Sequence, residues 1–151
     1  MNWKTITGKH SMRTDLYHAE TKRIAAEQGA LLDEASVRIV SRQPLNALEQ
    51  NGLLHGFQVL IENAIGKAKQ LLKARDETVP ISAHDAFAAL ARLRIIEQET
   101  LPAWHGVIGL RNRIVHDYMN VDIDRILALV RDHRYAFIVD FLMTPMNDEI
   151  E

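Results

Sequence analysis

Leu53, Phe57, Leu60, Ile61, Ala64, Ile65, Ala68, Leu71 and Leu72 recur at three- and four-residue spacings between Ala47 and Ala74, and no proline interrupts them. That period gathers them on one side of a long helix. The same spacing returns from about Thr14 to Arg42, through Leu16, Ile24, Leu31, Leu32, Ala35, Ile39 and Val40, with Pro44 closing the segment. Gly29 is expected to weaken or kink it. After a loop at DETVPIS, Ser82 caps a third helix, with Asp85 three residues on and Phe87, Leu90 and Leu93 on its apolar side. A fourth helix opens near Pro102 and runs to about Met119. Asp122 caps a fifth, carrying Ile126, Leu127, Val130, Phe137, Ile138 and Phe141 and ending before Pro145. No alternation of the strand type competes with these patterns. The expected fold is all-α, a bundle of four to five helices.

With 151 residues the chain is long enough for one domain with a real core. It has no cysteine, which excludes disulfides, zinc–thiolate sites and cysteine nucleophiles. The formal net charge of -2 rules out a basic coat, so any nucleic-acid contact is local. The first residues contain no apolar signal core and no run reaches membrane-spanning length, which gives a cytoplasmic expectation. Phosphate-cradling glycine motifs, HExxH and Glu-x-x-His are all missing, so no metal site is expected. His18, His55, His84 and His133 lack ligand spacing and read as surface or core filling. Gly52 and Gly56, four apart, read as a point of close helix packing.

LRNRIVHDY, from Leu110 to Tyr118, does not fit a plain amphipathic helix. Arg111 falls among Trp104, Val107, Ile114 and Val115, while His116 lies about 140° away around the axis. A guanidinium on an apolar face is costly unless it is paired or reaches water. It either pairs with a carboxylate of another helix, such as Glu62, or opens onto a cleft where a second copy brings its own motif. On spacing alone, Tyr118 is a packing residue with its hydroxyl at the rim.

The run Arg111-Asn-Arg-Ile-Val-His116-Asp-Tyr118 resembles the Arg-x4-His-x-Tyr motif of the HEPN superfamily, and GLRNRIVHDYMNVD is similar to the corresponding stretch of HepT toxins. The resemblance implies a HEPN-type domain over residues 13–145, an N-terminal arm over 1–12 and a C-terminal tail over 146–151. It implies a homodimer with motif helices facing across a cleft, and a metal-independent endoribonuclease that forms a type VII-like toxin–antitoxin pair with a minimal (MNT) nucleotidyltransferase. Arg111 and His116 are then catalytic and Asn112 is a supporting polar residue. Tyr118 is the site to which the antitoxin transfers AMP. The residue types suit RNA cleavage by the 2′-hydroxyl. A histidine transfers protons near neutral pH, and an arginine grips two phosphate oxygens without a metal. Two other readings are open at this stage. One is a non-catalytic nucleotide- or RNA-binding partner of a nucleotidyltransferase, and the other a dimer scaffold in which Arg111 is a structural ion pair.

Overall fold

The computed structural model describes residues 3–145, with side chains from residue 13 onward. The C-terminal tail at 146–151 lies outside the described residues. Those described form six α-helices, α1 (Trp3–Val40), α2 (Ala47–Ala74), α3 (Ala83–Arg92), α4 (Leu101–His116), α5 (Ile123–Arg131) and α6 (Ala136–Met143), with single 3₁₀ turns at Gln98–Thr100 and Tyr118–Asn120. None of these helices is long and apolar enough to cross a membrane.

The centre of the bundle is α2, which touches each of the other five helices. Its start is fixed by a reciprocal cap. Asn46 Oδ1 accepts from the Glu49 N–H at 2.8 Å, and Glu49 Oε1 accepts from the Asn46 N–H at 2.9 Å. The apolar residues read from the sequence, Leu53, Phe57, Leu60, Ile61, Ala64, Ala68, Leu71 and Leu72, are all buried. Side chains of that kind contribute roughly 1.5–3 kcal/mol each on leaving water, which makes α2 the element around which the rest packs. Trp104 anchors α4 to this core. It stacks on Phe87 at 4.3 Å between ring centres and meets Phe137 and Phe141 edge-on at 4.8 and 5.0 Å.

Four expectations are revised. First, α1 runs back through residues 3–12, ahead of the Thr14 start, and it passes Gly29 unbroken. A Cβ on Gly29 would stand 3.3 Å from Val139, so the glycine admits α6 against α1 rather than breaking the helix. Second, Leu16, Leu31 and Val40 are exposed, because the apolar side of α1 is wider than the strip that α2, α5 and α6 cover. Third, the fifth helix is two helices. His133 adopts φ 54°, the Arg134 N–H bonds to the Leu129 carbonyl, and the chain turns before α6. Fourth, α4 stops at His116 instead of continuing to Met119. Gly56 does sit at a close helix approach, beside Gln28 and Leu32 of α1, whereas Gly52 has nothing within 4 Å.

The end of α6 is closed by an uncommon device. Lys67 of α2 is 1% exposed and its ammonium donates to the carbonyls of Phe141 at 2.6 Å and Thr144 at 2.5 Å. Carbonyls at a helix end lack partners within the helix, and a cation there also opposes the helix dipole.

Candidate functional site

Arg111 lies on the side of α4 that faces α2, and α2 meets it with a carboxylate. Its Nε donates to Glu62 Oε2 at 3.3 Å, and its Nη1 donates to Asn112 Oδ1 at 3.0 Å. Glu62 also accepts from Gln58 Nε2 at 3.3 Å. The guanidinium is thus held through two of its three nitrogens, and 30% of the side chain stays exposed. The intrachain pair with Glu62 and an opening to solvent coexist. A planar cation held at Nε and Nη1 keeps its other donors, those of Nη2 among them, for an acceptor such as phosphate.

His116 is the last residue of α4 and is exposed, with no hydrogen-bond partner among the described residues. The helix is regular up to that point, so Arg111 and His116 leave it about 140° apart. Local unwinding does not bring them together within one chain, because the irregular backbone begins only at Asp117, with φ -147° and ψ 45°. Asp117 donates its N–H to the Arg113 carbonyl at 2.8 Å and accepts from the Asn120 side chain at 2.8 Å. Asp122 then caps α5, accepting from the N–H groups of Asp124 and Arg125.

This turn carries Tyr118 out of the helix but not out of reach of α2. Its hydroxyl donates to Asn51 Oδ1 at 2.6 Å. The tyrosine is exposed, with its hydroxyl at a polar rim, and Met119 beside it is 90% exposed. A helix continuing to Met119 would carry Tyr118, seven residues on, in register with Arg111. The structure replaces that register with a turn, and the two side chains are aligned by α2 instead.

On the α2 side of the site the sequence points to Glu62 alone, and the rest of its polar face goes unnoticed. Asn51, His55, Gln58 and Glu62 are spaced four, three and four apart, so they fall within an arc of about 60° on one face. Three of the four contact a motif residue directly or through Glu62. The signal was present as a helical polar stripe, but only the apolar residues of α2 were read for periodicity.

The other histidines divide. His84 meets His105 edge-on at 4.7 Å. His133 Nε2 lies 3.1 Å from Ser36 Oγ, and its Nδ1 lies 3.1 Å from the Tyr135 hydroxyl, which donates to Asp33. Serine, histidine and aspartate are thus adjacent, but Ser36 is 2% exposed and cannot receive a substrate. The cluster ties α1 to the α5–α6 turn. Burial and the neighbouring Asp33 carboxylate push the Tyr135 hydroxyl well above its usual range.

The family described as ribonuclease HepT-like matches residues 26–143. A curated relative, the mRNA nuclease HepT of Shewanella oneidensis strain MR-1, is 29% identical over 88 residues, which are 58% of this chain and 66% of the relative. Among solved structures, the tri-AMPylated Shewanella oneidensis HEPN toxin in complex with MNT antitoxin is similar with a TM-score of 0.59. It is 24% identical, over 79% of this chain and 96% of the other. A toxin–antitoxin structure with AMP-PNP gives a TM-score of 0.58 at 22% identity, over 79% and 97%. The fold, an all-helical bundle with Arg-x4-His-x-Tyr at the end of a helix, is that of a HEPN toxin. The chain belongs to the HepT-like ribonuclease family.

Proposed function

We propose that this chain is the toxin of a toxin–antitoxin pair, a homodimeric and metal-independent endoribonuclease silenced by transfer of AMP to Tyr118. The carrying observation is the tethered, half-open guanidinium of Arg111, held by Glu62 and Asn112 yet accessible to phosphate. Family membership supports the reading, as do a relative described as an mRNA nuclease and a similar fold described as an AMPylated toxin with its antitoxin. The domain spans residues 13–145, flanked by the arm at 1–12 and the tail at 146–151. The partner is an MNT-type nucleotidyltransferase, and the setting is the cytoplasm.

In this mechanism Arg111 grips the scissile phosphate and stabilises the charge that builds on the phosphorane. The RNA 2′-oxygen attacks phosphorus, the bond to the 5′-oxygen breaks, and His116 transfers a proton in the process. The products carry a 2′,3′-cyclic phosphate and a 5′-hydroxyl. Because Arg111 and His116 diverge on a regular helix, a cleft shared between two copies is what lets both reach one phosphate. AMP on the Tyr118 hydroxyl adds bulk and a phosphodiester charge at the rim, which competes with RNA for Arg111.

The test is cleavage of end-labelled single-stranded RNA by wild type and His116→Ala, with EDTA present. Cleavage by wild type alone, yielding cyclic-phosphate ends, is expected. Loss of activity on chelation contradicts the metal-free mechanism, and equal cleavage by both proteins contradicts the role of His116. For control by the partner, intact mass after co-expression with a cognate MNT-type nucleotidyltransferase should rise in AMP units in wild type and not in Tyr118→Phe.

A further inference from the structure

Building on the ribonuclease reading, we propose that His55 is a second proton-transfer residue of the cleft. It acts beside the Arg111 of its own chain, while the His116 that completes that site comes from the other copy.

The argument starts from α2. Two contacts pin the end of α4 along the polar stripe of this helix, Arg111 to Glu62 at one end and the Tyr118 hydroxyl to Asn51 at the other. His55 stands between them on the same face, about 6 Å along the axis from Asn51 and about 10 Å from Glu62 at about 1.5 Å per residue. It is exposed and has no hydrogen-bond partner among the described residues. Arg111 is paired with Glu62 of this stripe, so a phosphate bound through its remaining donors is held next to the stripe. Within the stripe, the amides of Asn51 and Gln58 do not exchange protons, and Glu62 is engaged by Arg111 and Gln58. His55 is the stripe residue whose type carries a proton near neutral pH.

The reaction requires two proton movements. One group removes the 2′-hydroxyl proton as the 2′-oxygen bonds to phosphorus, and another protonates the 5′-oxygen as its bond to phosphorus breaks. His116 supplies one group but points away from the Arg111 of its own helix by about 140°. His55 supplies the other from the Arg111 side. No further reactant is needed. The charged and titratable groups on the His55 side of the helix pair are Glu62 on α2 and, from α4 and the turn after it, Arg111 and Tyr118.

The experiment uses full-length His55→Gln on single-stranded RNA. Circular dichroism should match wild type, since the side chain is exposed. The expected result is a fall in kcat of about 10²-fold or more with little change in KM, and loss of one limb of the bell-shaped pH–rate profile. Dimers formed by co-expressing His55→Gln with His116→Ala chains should recover about a quarter of wild-type activity, because half of random dimers carry one intact site of two. An unchanged kcat and profile in His55→Gln, with wild type active, overturns the inference and leaves the ribonuclease reading standing. Heterodimers as inactive as both parents overturn the division of the two histidines between chains. A wild type that does not cleave RNA overturns the ribonuclease reading itself, and this inference with it.

Discussion

Four helices of this bundle end alike, and the helix that carries the motif does not. At the ends of α1, α2, α3 and α5 the residue past the cap is left-handed, with φ between 54° and 62° at Arg42, Asp76, Arg94 and His133. In each, two N–H groups fold back on the last carbonyls, as with Asp76 to Lys73 and Glu77 to Leu72. None of these residues is glycine, although the left-handed region costs an ordinary residue about 1–2 kcal/mol. The end of α4 uses no such cap. It stops at His116, leaves through Asp117 at φ -147° and ψ 45°, and makes a 3₁₀ turn that returns the Tyr118 hydroxyl to α2. The first kind of end closes a helix, and the second presents side chains. The second kind holds the residues to which the proposed mechanism assigns the chemistry.

Substitutions can break that separation. The largest effect is expected at the α4 end. Arg111→Ala and His116→Ala should each lower RNA cleavage by about 10²–10⁴-fold, while circular dichroism and the melting temperature change little. Unfolding of Arg111→Ala alongside normal cleavage by His116→Ala would instead make Arg111 a structural partner of Glu62. Lys67→Met should show the reverse pattern. It strips the Phe141 and Thr144 carbonyls of their donor and should cost about 2–4 kcal/mol in urea unfolding, with cleavage per folded molecule unchanged. A milder probe is Asp76→Gly. Relief of the left-handed backbone should stabilise the fold by about 1 kcal/mol without touching the site, read as a rise of a few degrees in melting temperature. If Asp76→Gly destabilises, the left-handed cap is not a source of strain in this protein.

The smallest effect separates the two regions by pH. His18 on α1 is held below its usual 6.5, first by burial and then by the charges of Lys67 and Lys22. The unfolded chain therefore binds this proton more readily than the folded one. Its penalty is absent above about 6.5 and grows as pH falls below that value. Unfolding free energy should decline over that range in wild type, and the decline should flatten in His18→Gln. An equal slope in both proteins assigns the acid sensitivity elsewhere.

Much of the bundle is legible in the sequence because it is local. The caps at Ser82 and Asp122 and the three- and four-residue apolar period of α2 are written in adjacent residues. The α5–α6 break is not, because it hangs on a left-handed His133 secured by Ser36 and Tyr135, with no glycine or proline to announce it. The stop at His116 is equally silent, since Asp117, Tyr118 and Met119 all continue a helical pattern. At the site, the conflict of Arg111 with its apolar neighbours was visible, and so was Glu62 as a possible partner. The stripe from Asn51 to Glu62 was not singled out, because which face of α2 meets α4 is decided by packing between distant segments.

The central claim is that one chain does not hold a complete site, since α4 keeps its regular turn through His116 and carries Arg111 and His116 apart. Light scattering combined with specific activity over a dilution series tests this most directly. The account predicts a particle of twice the chain mass at micromolar concentration, with RNA cleavage per chain falling as dilution separates the copies. A strict monomer that cleaves RNA at constant specific activity would contradict it.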